Sequence, residues 1–257
     1  MIRRAYAAAW PAVLLLVVVL VAWQLVASLG QVPAYILPSP VGIIAEIRTY
    51  FGPIVAGTLV TGNNALIGLL AGTLLAFVVA LGASYSRLFA ELMGPLAAAA
   101  AAIPIVAIAP LLYGMFSATG ELPRRLVVTI VVLFPVFVNV AKGMRQVRPV
   151  HRDLMHSYAV SRWQFARHVQ IPTALPYLFG GLRVAAPSAV IVSIVSEYFG
   201  GSRNGLATLI TSAATNTAYS RAWAYVAASV FLGLFFFLLT SLLESIVDRS
   251  MASLPPG

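Results

Sequence analysis

Long apolar runs separated by short polar punctuation make up the chain, and each run approaches the length of a membrane-crossing helix. A hydrocarbon core of about 30 Å takes about 20 apolar residues to cross. The runs at 12–29, 54–83, 92–113, 126–141, 181–199 and 222–247 predict six such helices. The fourth has 16 uncharged residues, which is workable with its ends in the interface. The first follows Arg3 and Arg4 and is too long for the apolar region of a signal peptide, so it reads as an uncleaved span. The fold class expected is all-α and polytopic, one transmembrane domain over 1–257.

Local signals refine the picture. In VPAYILPSP the prolines at 33, 38 and 40 forbid a regular helix, while Ser39-Pro40 offers an N-cap and a first helical position. Ile43, Ile44, Ile47, Tyr50 and Phe51 then predict one apolar face, with Glu46 and Arg48 off it, for a short helix at the outer interface. Gly68-x-x-x-Gly72 in the second run predicts close helix contact. Pro95, Pro104 and Pro110 predict a kink or break in the third. Glu121, Arg124 and Arg125 are expected outside the fourth.

One long polar segment interrupts this pattern, at 142–172. It holds all three histidines together with Lys142, Arg145, Arg148, Arg152, Arg162 and Arg167. Pro149 can open a helix on which Val150, Leu154, Met155, Tyr158 and Ala159 share a face while Arg152 and His156 look elsewhere. Ser161-Arg162-Trp163-Gln164 fits a capping box that restarts the chain as a second helix, expected to end at Pro172 and Pro176. Two readings stand: a pair of amphipathic helices, braced against the membrane helices, that transmits a partner's movement, or a solvated connection.

Composition narrows the class. Of 257 residues 61% are hydrophobic and 9% charged, with a mean hydropathy of +0.95, whereas soluble domains carry about 25% charged residues. With six spans, Lys and Arg divide into ten on the polar-loop side and five on the other (48, 124, 125, 203 and 221). The positive-inside bias therefore puts the loop and both termini in the cytoplasm. That bias also accounts for the net charge of +9 without nucleic acid, since no basic patch interleaves with aromatics. With no cysteine, disulfides, zinc–thiolate sites and iron–sulfur clusters are excluded.

The segment 153–172 resembles the EAA motif of permease subunits of bacterial ATP-binding-cassette importers. Counting back from Ile171-Pro172 sets Val169 at the motif's Ile, Ala159 at its Gly, and Asp153, Leu154 and Met155 at its E-A-A. Ala in place of Gly at 159 departs from the tight turn of positive φ that the motif implies. PTALPYLFGGLRVA, ILPSP and SEYFGG are similar to the branch importing nitrate, sulfonates, taurine, riboflavin and thiamine-precursor heterocycles. The resemblance implies the type I importer permease fold in the bacterial inner membrane. It implies a coupling helix over 150–160, with Arg152, Asp153, Leu154, Met155, His156, Ser157, Tyr158 and Ala159 meeting the ATPase. It further implies two ATPase subunits carrying ATP and Mg, a second permease copy, expected as a homodimer, and an extracytoplasmic substrate-binding protein. This chain itself is expected to bind no cofactor. A P-loop needs G-x-x-x-x-G-K-[ST], and the only lysine, Lys142, has no such glycines before it.

Other polar residues carry two readings each. Asn63, Asn64, Tyr113 and Asn139 are candidates for the translocation pathway or for hydrogen bonds between helices. Glu197, about 21 Å along a helix from Arg183, is a pathway candidate, or else an interfacial residue that caps a helix or pairs with Arg203. His151, His156 and His168 lack a metal-ligand spacing, and no Ser–His–Asp or paired-carboxylate constellation is visible. The rival to an ATP-driven importer is an ion-gradient-driven secondary transporter. It needs ionisable relays at mid-membrane, and the runs hold almost none apart from Arg183 and Glu197 near their ends.

Overall fold

In the computed structural model, residues 2–30, 32–86, 91–92, 94–95, 104–116, 120–200 and 204–252 are described, and among them every regular element is helical. The elements are α1 (Ile2–Leu29), α2 (Pro40–Thr49), α3 (Phe51–Tyr85), α4 (Ile105–Met115), α5 (Leu122–Arg145), α6 (Pro149–Ser157), α7 (Arg162–Phe165), α8 (Ile171–Phe199), α9 (Leu206–Thr215) and α10 (Tyr219–Ala252). A π-helical turn, Ala166–Gln170, joins α7 to α8. By length and apolar composition Phe51–Tyr85, Leu122–Arg145, Arg162–Phe199 and Tyr219–Arg249 can each cross a membrane, and Val13–Leu29 is a shorter apolar helix.

The bundle is organised around α5. Its valines 127, 128, 132, 136 and 140 are all buried. On one side α3 offers Ala65, Gly68, Gly72, Ala76 and Ala80, small residues that let two backbones close up. A Cβ at Gly68 would lie 2.5 Å from Val128 Cβ, and one at Gly72 2.7 Å from the Thr129 carbonyl, so only glycine fits. On the other side α8 presents Gly181, Ala185, Ala186 and Ala189. Since lipid is as apolar as leucine, such close van der Waals packing stands in for the hydrophobic effect. The leucines accordingly point outward: Leu59, Leu66, Leu70 and Leu74 of α3 are exposed.

The pairings set helix directions. Asn64 meets Arg125 and Gly68 meets Val128, so α3 and α5 run parallel. Gly143 packs on Tyr177 and Gly181 on Val136, which makes α8 antiparallel to α5. The expected span 92–113 lies partly outside the described residues. Pro104 stands outside the helix, and α4 begins afresh at Ile105.

Several expectations need correction. The fourth span is longer than 126–141, because α5 takes in Arg124 and Arg125 in its first turn and Lys142 and Arg145 in its last. Pro172 and Pro176 do not end the second loop helix. The π turn shifts the hydrogen-bond register just before Pro172, and the helix runs on through Phe199. On α2, Ser39 caps Gly42 N as expected, but Ile44 and Phe51 are exposed and the packed face is Ile43 and Ile47. Glu46 belongs to that packed side and accepts from Arg221 Nε at 3.0 Å. The helix α9 was not anticipated.

Candidate functional site

Two polar places stand at opposite ends of the bundle. At one end, α6 and α7 form the polar loop. Pro149 opens α6, and none of its residues is buried. Val150, Leu154 and Tyr158 form an apolar stripe at four-residue spacing, and Leu154 and Tyr158 are 51% and 74% exposed. They are therefore not braced against the membrane helices as the sequence suggested. The turn that follows has Ala159 at φ 46°, the left-handed conformation the motif's glycine implies, adopted here by alanine. Ser161 Oγ then accepts from Gln164 N, and the Gln164 side chain accepts from Ser161 N, completing the capping box. Arg152, Met155, His156 and Ala159 line a notch of about 320 Å³ against Arg162 and Phe165. Asp153 and Ser157 stay exposed, with Ser157 Oγ donating to the Asp153 carbonyl.

At the other end lies a buried network. Glu197, 1% exposed, accepts from Thr61 Oγ1 at 3.0 Å and from Ala207 N at 3.3 Å through the same oxygen, Oε2. Thr61 Oγ1 in turn accepts from Leu206 N at 3.0 Å. The N-cap of α9 is Gly205, which has no side chain to satisfy the orphan N–H groups of the first turn. Glu197 of α8 and Thr61 of α3 cap that helix from outside, and a carboxylate at a helix N-terminus also suits its dipole. Ser193 Oγ donates to the Thr61 carbonyl and Tyr113 Oη to the Ser196 carbonyl, both buried. Arg124 is buried in the same layer and acts electrostatically on Glu197 and Tyr113, while Arg125 Nε donates to Asn64 Oδ1 at 3.1 Å. A Cβ on Gly205 would collide with the Glu197 carboxylate, and one on Gly200 with the Tyr113 ring.

The network thus gathers Asn64, Tyr113 and Glu197 from the expected pathway set. Asn63 lies elsewhere, on the exposed face of α3 among Leu59, Leu66 and Leu70. Asn139 is half-buried and donates to the Pro135 carbonyl of its own helix. The helix-capping reading of Glu197 matches its hydrogen bonds, whereas Arg203 falls outside the described residues. Thr61, Gly205 and Ser193 went unnoticed in the sequence, and Arg124 was read only as a charge outside the fourth span, although the glycines around GGSRNG before LATLI signal a turn into a new helix. Glu244 was also missed. It lies within the expected span 222–247 and accepts from Arg183 Nη1 at 3.2 Å, so ionisable side chains in the spans are not confined to Arg183 and Glu197.

Among the described residues the bundle is all-helical, with four helices long and apolar enough to cross a membrane and an exposed amphipathic helix, α6, at one end. The chain belongs to the family of binding-protein-dependent transport system inner membrane components, whose family model matches residues 64–253. It is 34% identical over 185 residues to a probable ABC transporter permease protein of Haemophilus influenzae, covering 72% of this chain and 75% of that protein. It is 31% identical over 249 residues to the riboflavin transport system permease protein RibX of Chloroflexus aurantiacus, covering 95% and 92%. In fold it matches an amino acid ABC transporter structure with a TM-score of 0.64 at 17% identity, covering 77% of this chain and 96% of that one. The chain is a multi-pass transmembrane subunit of an ATP-binding-cassette importer for small solutes, in a family where a partner ATPase hydrolyses the ATP.

Proposed function

We propose that this chain forms the translocation pathway for a small organic solute and takes its power stroke through residues 150–160. Support comes from one observation above the others: α6 carries an apolar stripe, Val150, Leu154 and Tyr158, that is exposed in the subunit, held by the Ala159 turn and the α7 capping box. Val150, Leu154 and Tyr158 anchor in the ATPase, with Arg152, Asp153, Met155, His156, Ser157 and Ala159 around them. ATP and Mg sit on that partner. Two identical permease chains enclose the pathway, with polar loop and termini in the cytoplasm and a substrate-binding protein on the far side. Asn63 and Asn139 reach the pathway, while Asn64, Tyr113 and Glu197 build its wall. The solute is an aromatic heterocycle such as riboflavin or a thiamine precursor, or else a sulfonate- or nitrate-type anion. The match to RibX over nearly the whole chain supports the first.

The test is Leu154→Arg. A central apolar anchor at an interface contributes roughly 2 kcal/mol or more, so the ATPase subunit should co-purify about thirtyfold more weakly while membrane insertion is kept. Wild-type transport by this variant would sink the coupling-helix assignment. Co-purification from gently solubilised membranes, read by mass spectrometry, identifies the ATPase and any binding protein, whose ligand can then be screened.

A further inference from the structure

A cavity of about 590 Å³ opens at the polar-loop end of the bundle, next to the α6 notch and sharing Arg162 and Phe165 with it. Three stretches that are distant in sequence line it: Ser84, Tyr85 and Glu91 at and after the end of α3, Arg145 at the end of α5, and Arg162 of α7 with Gln170 of the π turn that follows it. Its volume falls in the range of about 300–1,000 Å³ typical of small-molecule sites. Neither Arg145 nor Arg162 is ion-paired among the described residues, and Glu91 has a partner of its own. Two free guanidinium groups facing one cavity, with a phenol, a hydroxyl and an amide beside them, are a donor set suited to phosphate oxygens.

Depth is the second argument. Thr61, in the buried network at the opposite end, and Ser84 are 23 residues apart on α3. At 1.5 Å per residue that is roughly 34 Å, a full hydrocarbon thickness. The cavity therefore lies at the level of the lipid headgroups of the loop-side leaflet. Basic pockets between membrane helices at that depth hold anionic headgroups.

We propose that the cavity bounded by Arg145, Arg162, Gln170, Ser84 and Tyr85 binds a phosphate-bearing anion, either an anionic lipid headgroup or free phosphate. Bound there, the anion bridges the ends of α3 and α5 to α7, and so ties the loop helices to the bundle independently of any ATPase.

The full-length chain, purified in detergent with the subunits that accompany it and stripped of lipid, is titrated with phosphatidylglycerol, phosphatidylcholine or inorganic phosphate and read by native mass spectrometry. Each basic group near an anionic surface contributes about 1 kcal/mol, so R145Q or R162Q should weaken phosphatidylglycerol binding about fivefold and the pair about 30-fold. The pair R148Q/R167Q removes the same charge away from the cavity and should change binding less than about twofold. R145K/R162K, which keeps the charge, should retain most of it and reports on folding. Saturation by inorganic phosphate with the same arginine dependence, and no response to phosphatidylglycerol, assigns the site to the free anion. Equal loss in the two glutamine pairs, or phosphatidylcholine bound as tightly as phosphatidylglycerol, overturns the proposal.

Discussion

Gly205→Ala puts one methyl group against the buried carboxylate of Glu197, and its cost follows from the hydrogen bonds of that carboxylate. An ideal Cβ at position 205 lies 2.7 Å from Glu197 Oε1 and closer still to Oε2 and Cδ, inside any contact that real Cβ atoms tolerate. The carboxylate cannot retreat without losing Thr61 Oγ1 at 3.0 Å and Ala207 N at 3.3 Å. Hydrogen bonds to charged groups contribute about 1.5–3 kcal/mol each, so losing both costs about 3–6 kcal/mol, less whatever a shift of α9 recovers. Glu197→Ala loses the same two bonds and opens the space that the methyl needs. The double variant should therefore be no less stable than Glu197→Ala to within about 0.5 kcal/mol, so that the coupling equals the whole cost of Gly205→Ala. Unfolding by SDS in mixed micelles, followed by helical circular dichroism, measures all three. Additive losses would show that position 205 and the carboxylate do not touch, and would remove α9 from the network.

Ala159→Gly relieves a left-handed alanine, worth about 1–2 kcal/mol, against about 0.5–1 kcal/mol for glycine's added chain entropy; ATPase co-purification should hold or rise, whereas Ala159→Val, with a β-branched side chain in that region, should lower it severalfold. Equal behaviour of the Gly and Val variants would mean that the turn differs from the one described. The Arg183–Glu244 pair, 47% and 20% exposed, joins α8 to α10. Arg183→Glu should destabilise the bundle, and adding Glu244→Arg should restore about 0.2–1 kcal/mol of it in the same SDS unfolding. A double variant weaker than the single one would break that assignment.

The parts of the fold that were legible in the sequence are those governed by local rules. Hydropathy located the long helices, Ser39 and Ser161 announced the caps of the short α2 and α7, and Gly68 and Gly72 announced a close helix contact, though not that its partner is α5. The misplaced boundaries have a common cause. Arg124, Lys142 and Arg145 are charged, and charge marks the end of an apolar run, but a helix continues past the hydrocarbon edge wherever its backbone bonds can. Pro172 misled in the same way, because a π turn upstream absorbs it without ending the helix. The buried network was out of reach for a different reason. Thr61 and Glu197 are 136 residues apart, and no local pattern tells a threonine in a membrane helix that caps another helix from one that bonds its own backbone. The apolar stripe of α6 was visible as a periodicity. Its exposure was not, since a period fixes which residues share a face and says nothing of what covers it.

The two polar places are connected by one element. From Arg162 to Phe199 the chain is helical for 38 residues, roughly 57 Å at 1.5 Å per residue. One end begins in the capping box beside α6, and Glu197 lies within a turn of the other. Along its length Tyr177, Gly181 and the alanines at 185, 186 and 189 are packed on or beside α5. A helix packed at that density transmits displacement along its axis instead of absorbing it, because interiors are close-packed and of low compressibility. The exception is the π turn at Ala166–Gln170, where the hydrogen-bond ladder is widened and bending costs least. Under the proposed coupling, force applied at α6 would reach the Glu197–Thr61–α9 network through a rod with one compliant joint near its loop end. Stiffening the joint by deleting one residue of 166–170, which restores a regular helix, should preserve the bundle while altering transport. Unchanged transport in that deletion would place the mechanical path elsewhere, with α5, whose last turn also adjoins the loop, as the remaining route.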